Sequence, residues 1–342
     1  MDPISHFTLG AAFSQTILSF QDKNKLDSLG LRFSAFVGGL AALTPDLDSL
    51  IQSASDPLMY IEYHRHFTHS FIFIPFGALI VSLIIKPFTK HSLKSLWLAA
   101  MLGLCTHGFL DACTSYGTHL LWPFSEARSA WNNISIIDPL FTLPLILGLI
   151  LTSWRGKKIF IRVALVYGFL YLTAGAWQRE RVKSFVSAEL KSEEIVKVDS
   201  KPSFGNLWLW RVITTTDVDY RVDAVWSVPF VDLKFFEGVR VMPYEQSRDL
   251  PQLIKGSRSE RDIERFRFFS DDYLYIVEQT ENITTIGDLR YSLLPNSKDP
   301  LWVIEIDHND FERPTPYNTV RNVTKESRAI FKKLLFGEDQ LL

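Results

Sequence analysis

Residues 95–111 read SLWLAAMLGLCTHGFLD: sixteen positions without Asp, Glu, Lys or Arg, and then an acid. A membrane span needs about 20 apolar residues (range roughly 17 to 25), and flanking lysines can reach outward past its ends, so the stretch reads as a membrane helix. Its last turn carries His107 and Asp111, four apart and therefore on one helix face, with Cβ atoms about 5 to 6 Å apart. Imidazole nitrogen beside carboxylate oxygen suits zinc, and also manganese or iron. The bland reading of the same spacing is a local hydrogen-bonded pair. Ionisable groups at a membrane edge are costly, however, and mark functional sites.

Working outward, charge-free stretches of the same kind occupy 3–21, 33–45, 70–85, 139–154 and 163–178. The first two are the weakest. Ser5, Thr8, Ser14, Gln15 and Thr16 dilute one, and the other is 13 residues long. The expectation is an α-helical membrane domain of about 4 to 6 membrane-associated helices; a water-soluble bundle with unusually apolar helices is the alternative. Residues 1–177 hold 22 charged side chains in 177, whereas 178–342 hold 52 in 165, which places a boundary near Arg179. Two domains are expected: helical membrane over 1–178, and soluble α+β over 179–342.

A net charge of -2 leaves no electrostatic footprint for nucleic acid, and 47% hydrophobic residues argue against disorder. Cys105 and Cys113 make neither a disulfide framework nor a four-cysteine zinc site. If all six stretches cross, the loops 21–32, 86–94 and 155–162 share one face and carry ten Lys and Arg. The short loops opposite carry two, Arg65 and Arg128. The positive-inside rule puts the basic loops in the cytoplasm, although Arg179, Arg181 and Lys183 follow the last span on the opposite side. A multi-pass inner-membrane protein is expected, with the loops 46–69 and 111–138 and the charged half outside the cytoplasm. Met1 to His6 has no basic residue and carries Asp2, so the start is not expected to be a cleaved signal peptide.

Crossing parity brings five pieces to that outer face: His6, TPDLD (44–48), HRHFTHS (64–70), HGFLD (107–111) and Asp138. Each piece has an ordinary explanation. Asp46 and Asp48 can cap a helix, Asp138 before Pro139 is a common helix start, and His66 and His91 read as polar surface. Four segments delivering His or Asp to one face point instead to a metal site built from His6, Asp46, Asp48, His64, His69, His107 and Asp111. That is more than one four-coordinate ion needs, so one or two divalent ions, zinc foremost, are expected, two of them sharing a carboxylate. Paired cations stabilise both the attacking and the leaving oxygen of a phosphoester. Arg65, Thr68 and Asp48 are the expected catalytic residues, with Arg65, Thr68 and Ser70 contacting the phosphate.

These residues resemble the YdjM-like family of membrane-bound metal-dependent hydrolases. Its members share a Thr-His start, a PDxD, an HRxxTHS, an SHxxLD and a Gly-containing LLxPFS stretch, matched here by His6, PDLD (45–48), HRHFTHS (64–70), HGFLD (107–111) and GTHLLWPFS (117–125). The resemblance covers the first 140 to 180 residues. Ser5 and Thr106 depart from the pattern slightly, and His66 stands where the family commonly has glycine. The resemblance implies a metal-dependent hydrolase distantly akin to zinc-dependent phospholipase C and to nucleases of the single-strand type; location at the outer membrane face points to a membrane lipid or another small or lipid-linked phosphoester as substrate. A non-catalytic metal-binding protein or a transporter is the other class; transporters place ionisable groups nearer the midplane and show repeats.

In the charged half, 206–212 and 220–228 read as a hairpin, and 238–242, 273–279, 290–294 and 301–306 as further strands. Helices are expected over 257–269 and 324–335. Trp208, Trp210 and Trp226 read as sheet packing. The sum is a small α+β domain with an antiparallel sheet.

Overall fold

The computed structural model describes residues 1–18, 29–191, 193–321 and 323–338. Lys23 and Lys25 of the first basic loop lie outside the described residues. Two compact units form. One comprises Met1–Leu50, Tyr63–Trp177 and Phe204–Asn206; the other comprises Ile51–Glu62, Gln178–Ser203 and Leu207–Leu342.

The first unit is helical: α1 (Pro3–Leu18) and α2 (Leu31–Leu43) precede the short α3 (Met59–Tyr63), which lies mostly in the other unit. Then come α4 (Phe73–Ile85), α5 (Leu93–Cys113), α6 (Pro139–Arg155) and α7 (Ile159–Glu189). Local chemistry sets the ends. Ser92 caps α5 by accepting from the Ser95 amide, Asp138 caps α6 ahead of Pro139, and Gly156 closes α6 at φ 68°. Asp138 is thus a helix cap, with the Tyr171 hydroxyl also donating to it, and stands apart from the cluster described below. Among the described residues two helices, α5 and α7, are long and apolar enough to cross a membrane, and up to three spans result if Met59–His69 and Phe73–Phe88, bent by 86°, count together. At 13 residues α2 is about 20 Å long, short of a hydrocarbon core of about 30 Å, so the lengths of the described helices do not supply six crossings. Leu143, Leu147 and Ile150 of α6 and Val163, Val166, Phe169 and Leu170 of α7 are each more than half exposed. A contiguous apolar face of that kind suits acyl chains better than water.

Small residues let α1, α2 and α5 touch backbone to backbone. A Cβ added at Gly103 would lie 2.0 Å from the Gly38 carbonyl oxygen, and one at Gly10 would lie 2.4 Å from the Ala42 Cβ. His6 is one turn before Gly10 and His107 one turn after Gly103, so this crossing fixes their spacing.

The second unit holds two four-stranded antiparallel sheets. β1 (Ile195–Pro202), β2 (Leu209–Thr216), β3 (Tyr220–Trp226) and β4 (Lys234–Val241) pair in order. After the short α8 (Gln246–Asp249) and α9 (Arg258–Phe269), β5 (Leu274–Gln279), β6 (Ile283–Asp288), β7 (Trp302–Asp307) and β8 (Tyr317–Thr319) form the other, and α10 (Lys325–Leu335) closes the chain's described helices. The expected hairpin is β2–β3, but its turn falls at 217–219, because Thr214 to Thr216 pair with Arg221, Tyr220 and β1 rather than turning. The expected strand over 290–294 is corrected to loop. Arg211 donates to the carbonyls of Leu289, Pro295 and Ser297, and Arg290 folds back on Asp288, so these backbone groups are held outside any ladder. Trp210 is fully buried as sheet packing, while Trp226 packs with Leu334 and donates to the Leu335 carbonyl.

Residues 51–62 join this unit through α9. Arg265 grips both Asp56 carboxylate oxygens at 2.8 and 3.0 Å and reaches Glu62 at 2.5 Å, and the Arg265 hydrogen bond holds the Asp56 carboxyl below its usual range.

Gly103→Ala forces the α2–α5 backbones apart and should cost about 1 to 3 kcal/mol, read as a lowered thermal midpoint of the detergent-solubilised protein. Gly30→Ala, with nothing within 4 Å of the added Cβ, should leave the midpoint unchanged.

Candidate metal centre

Five backbone pieces build the site. The last turn of α5 presents His107 and Asp111, and α1 presents His6. After α2, Thr44 leads into a 3₁₀ turn, Pro45–Leu50, that carries Asp46 and Asp48; residues 64–66 and a second 3₁₀ turn, Phe67–His69, carry the rest.

The tautomers follow from the outer partners. His107 Nδ1 lies 2.6 Å from the Ala42 carbonyl, which can only accept, so Nδ1 holds the proton and Nε2 offers its lone pair inward. His69 Nδ1 faces Asp48 Oδ2 at 3.1 Å, which turns its Nε2 inward as well. The inward atoms converge. His69 Nε2 and His107 Nε2 are 2.9 Å apart, Asp111 Oδ2 is 3.2 and 3.3 Å from them, and Asp46 Oδ1 is 3.5 Å from both. Donors around a tetrahedral ion with bonds of about 2.0 to 2.2 Å stand about 3.3 to 3.6 Å apart. Four of these five separations are close to that value, and the two imidazole nitrogens stand closer together. Asp111 Oδ2 is buried without a hydrogen-bond donor among the described residues, so a cation fits what the cluster lacks. Asp46, Asp48 and His64 form a second convergent group, and Asp46 belongs to both.

Asp48 anchors the loop. It accepts from His64 Nδ1 at 2.8 Å, the Arg65 amide at 3.0 Å and the Thr68 hydroxyl at 2.6 Å. Arg65 has φ 66°, an uncommon value for a residue with a side chain, and these bonds hold it there. Burial would raise the Asp48 carboxyl, but hydrogen bonds from His64 and His69 hold it well below the usual carboxylate range.

Each expected site residue has a definite place. His69, His107, Asp111 and Asp46 make the tetrahedral group, and Asp48 and His64 adjoin it. His6 lies beside them, stacked on His107 at 3.7 Å, with Nε2 3.1 Å from Asp111 Oδ1. Arg65 is buried, pairs with Asp111 Oδ1 at 3.2 Å and donates to the Thr114 hydroxyl at 3.0 Å; the Met1 amino group also lies against Asp111. Thr68 is committed to Asp48. Ser70 is buried and donates to the Phe67 carbonyl. His91 stands near the other end of α5, against Phe33 at 5.1 Å, and His308 bonds Thr284 in the β-rich unit. Thr114 and the Ala42 carbonyl went unread in the sequence. A hydroxyl three residues past Asp111 was the available hint for the first, and a backbone acceptor leaves none.

Residues 1–182 match a family described as YdjM inner membrane protein. The chain is similar to a Bacillus subtilis (strain 168) protein described as "Uncharacterized protein YfhP", 25% identical over 252 residues, 72% of this chain and 74% of that one. It is also similar to inner membrane protein YbcI of Escherichia coli (strain K12), 30% identical over 105 residues, 30% of this chain and 61% of that one. No solved structure matches the chain.

Metal analysis of purified variants checks the geometry. His107→Ala and Asp111→Ala should each weaken the binding of metal at this centre at least ten-fold at equal protein yield, and His91→Ala and His308→Ala should leave it at the wild-type level.

Proposed function

Because the chain belongs to the YdjM inner membrane protein family, we propose that it is a membrane-bound, metal-dependent hydrolase acting on a phosphoester or lipid-linked substrate at the outer face of the inner membrane. The observation that carries the proposal is the near-tetrahedral convergence of His69, His107, Asp111 and Asp46, with Asp46 shared by the group of Asp48 and His64. Mixed nitrogen and oxygen donors at this spacing fit zinc, one ion or two, and manganese or iron accept the same set. A divalent ion bound there supplies Lewis-acid charge and an activated water.

The chain's own residues divide the remaining work. Asp46, with its side chain 26% exposed, is where the buried cluster meets the surroundings, so substrate approaches past it. Asp48 and Thr68 set the orientation of His64 and His69. Arg65 Nε is buried and has no acceptor among the described residues, which makes it the donor for a phosphoryl oxygen, while its other nitrogens hold Asp111 and Thr114. Complete burial of His6, His107 and Asp111 favours the second reading, in which metal is held without turnover.

The topology proposed with this function has the basic loops in the cytoplasm and residues 178–342 outside, with the chain crossing repeatedly. Its support is the ten-to-two loop bias together with the packing of 51–62 in one compact unit with 178–203 and 207–342, which fits a placement of both on one side of the bilayer.

A screen of phosphoesters and phospholipids with metal-loaded wild type should show turnover that a chelator removes and zinc restores. Arg65→Ala, which deletes no ligand atom, should keep its metal and lose about 10²-fold in kcat. Metal-loaded wild type that cleaves nothing, and is matched by Arg65→Ala in every assay, promotes the non-catalytic reading. Reporter fusions after Lys183 should be active only as a periplasmic reporter.

A further inference from the structure

Next to Arg65 the chain changes direction, and the following side chain leaves the buried cluster. His66 meets His119 and Glu126 instead. The His119 amide donates to the Arg65 carbonyl at 3.1 Å, and the Phe71 amide to the Leu120 carbonyl at 3.0 Å, so two main-chain bonds clamp the 65–71 segment to the 118–126 loop. The clamp sets the two imidazoles edge to face with centroids 4.8 Å apart. Across from them, Glu126 Oε2 is 3.7 Å from His66 Nε2 and 4.0 Å from His119 Nδ1. One ligand atom from each of the three lies within 4.8 Å of the other two.

From this geometry we infer a second divalent transition-metal site, formed by His66, His119 and Glu126, separate from the centre of Asp46, His69, His107 and Asp111. The donor set, two imidazoles and one carboxylate, is that of a three-ligand zinc site with an open fourth position. The two distances to Glu126 exceed the roughly 3.3 to 3.6 Å of a closed tetrahedron by a few tenths of an ångström, and the adaptable member closes them: the Glu126 side chain is 67% exposed and able to swing, while that of His66 is 19% exposed and packs against Trp122 and Phe67. Arg128, the nearby cation, is engaged with the Tyr116 carbonyl at 2.8 Å and the Tyr116 ring. The ion would tie the 118–126 loop to the segment that carries Arg65, Thr68 and His69, and so would stiffen the margin of the first centre. The inference holds whether or not that centre catalyses hydrolysis.

Cobalt(II) titration of the full chain in detergent, with the metal alone as probe, tests it. Wild type should bind one more equivalent than His66→Ala or His119→Ala, and Glu126→Gln should bind that equivalent at least ten-fold more weakly, all with unchanged circular dichroism. Equal stoichiometry in wild type and His66→Ala overturns the site. His119→Ala can also disturb the loop, so His66→Cys supplies an independent reading: a sulfur-to-cobalt charge-transfer band absent from wild type supports ligation at this position. A folded His66→Cys protein whose cobalt spectrum matches wild type overturns it.

Discussion

The approach of three helix backbones at Gly10, Gly38 and Gly103 is the constraint from which the buried centre follows. Where glycine leaves no side chain between two helices, close packing of backbone against backbone does the holding. Once α1, α2 and α5 are in contact there, the rest is helix geometry. His6 stands one turn from Gly10, His107 one turn from Gly103, and the end of α2 delivers the Ala42 carbonyl to His107 Nδ1 and then the turn that bears Asp46. A shift of an ångström at the crossing would open the tetrahedral spacing of four donors that no covalent link holds together.

Asp48 performs the corresponding task for the 64–69 segment, which has no long helix of its own. Four donors on one carboxylate, including a main-chain amide, define the path of a loop that passes through a left-handed residue. Charge-assisted hydrogen bonds in a buried setting are strong enough to offset backbone strain of that size, about 1 to 3 kcal/mol. Asp48 therefore shapes the site as well as adjoining it. That division between Asp46 and Asp48 arises because residues two apart on a 3₁₀ turn cannot face the same way.

Much of this could be read from the sequence because it depends on local periodicity. The i, i+4 relation of His107 and Asp111, the cap at Asp138 before Pro139, and the helices capped by Ser257 and Thr324 are properties of short windows. What escaped depends on partners distant in the chain. Arg65 reads as a phosphate contact with no sign of its partner, yet it is buried on Asp111, 46 residues further on, and Glu62 pairs with Arg265 about 200 residues away. His66 reads as polar surface because its companions His119 and Glu126 lie on a loop more than 50 residues further on. β1 is charged, ends in Pro202 and lies at a sheet edge, and β6 is rich in threonine; neither has the apolar alternation that marks a strand.

Electrostatics explains why this cluster calls for a cation at all. Asp111 is fully buried in the last turn of a 21-residue helix, where the unsatisfied carbonyls make the potential negative and a carboxylate is disfavoured. Burial of an unpaired carboxylate costs several kcal/mol more. Arg65 answers at Oδ1, with His6 beside it, and their donors are directed at that one oxygen. Oδ2 faces two imidazole nitrogens whose protons are turned outward toward Ala42 and Asp48. A carboxylate oxygen and two lone pairs directed at a common point repel one another, and Asp46 adds a further negative atom from the open side. The helical scaffold holds that arrangement rigidly, so the energy gained by neutralising it is available to whichever positive species enters past Asp46, and a divalent ion gains the most.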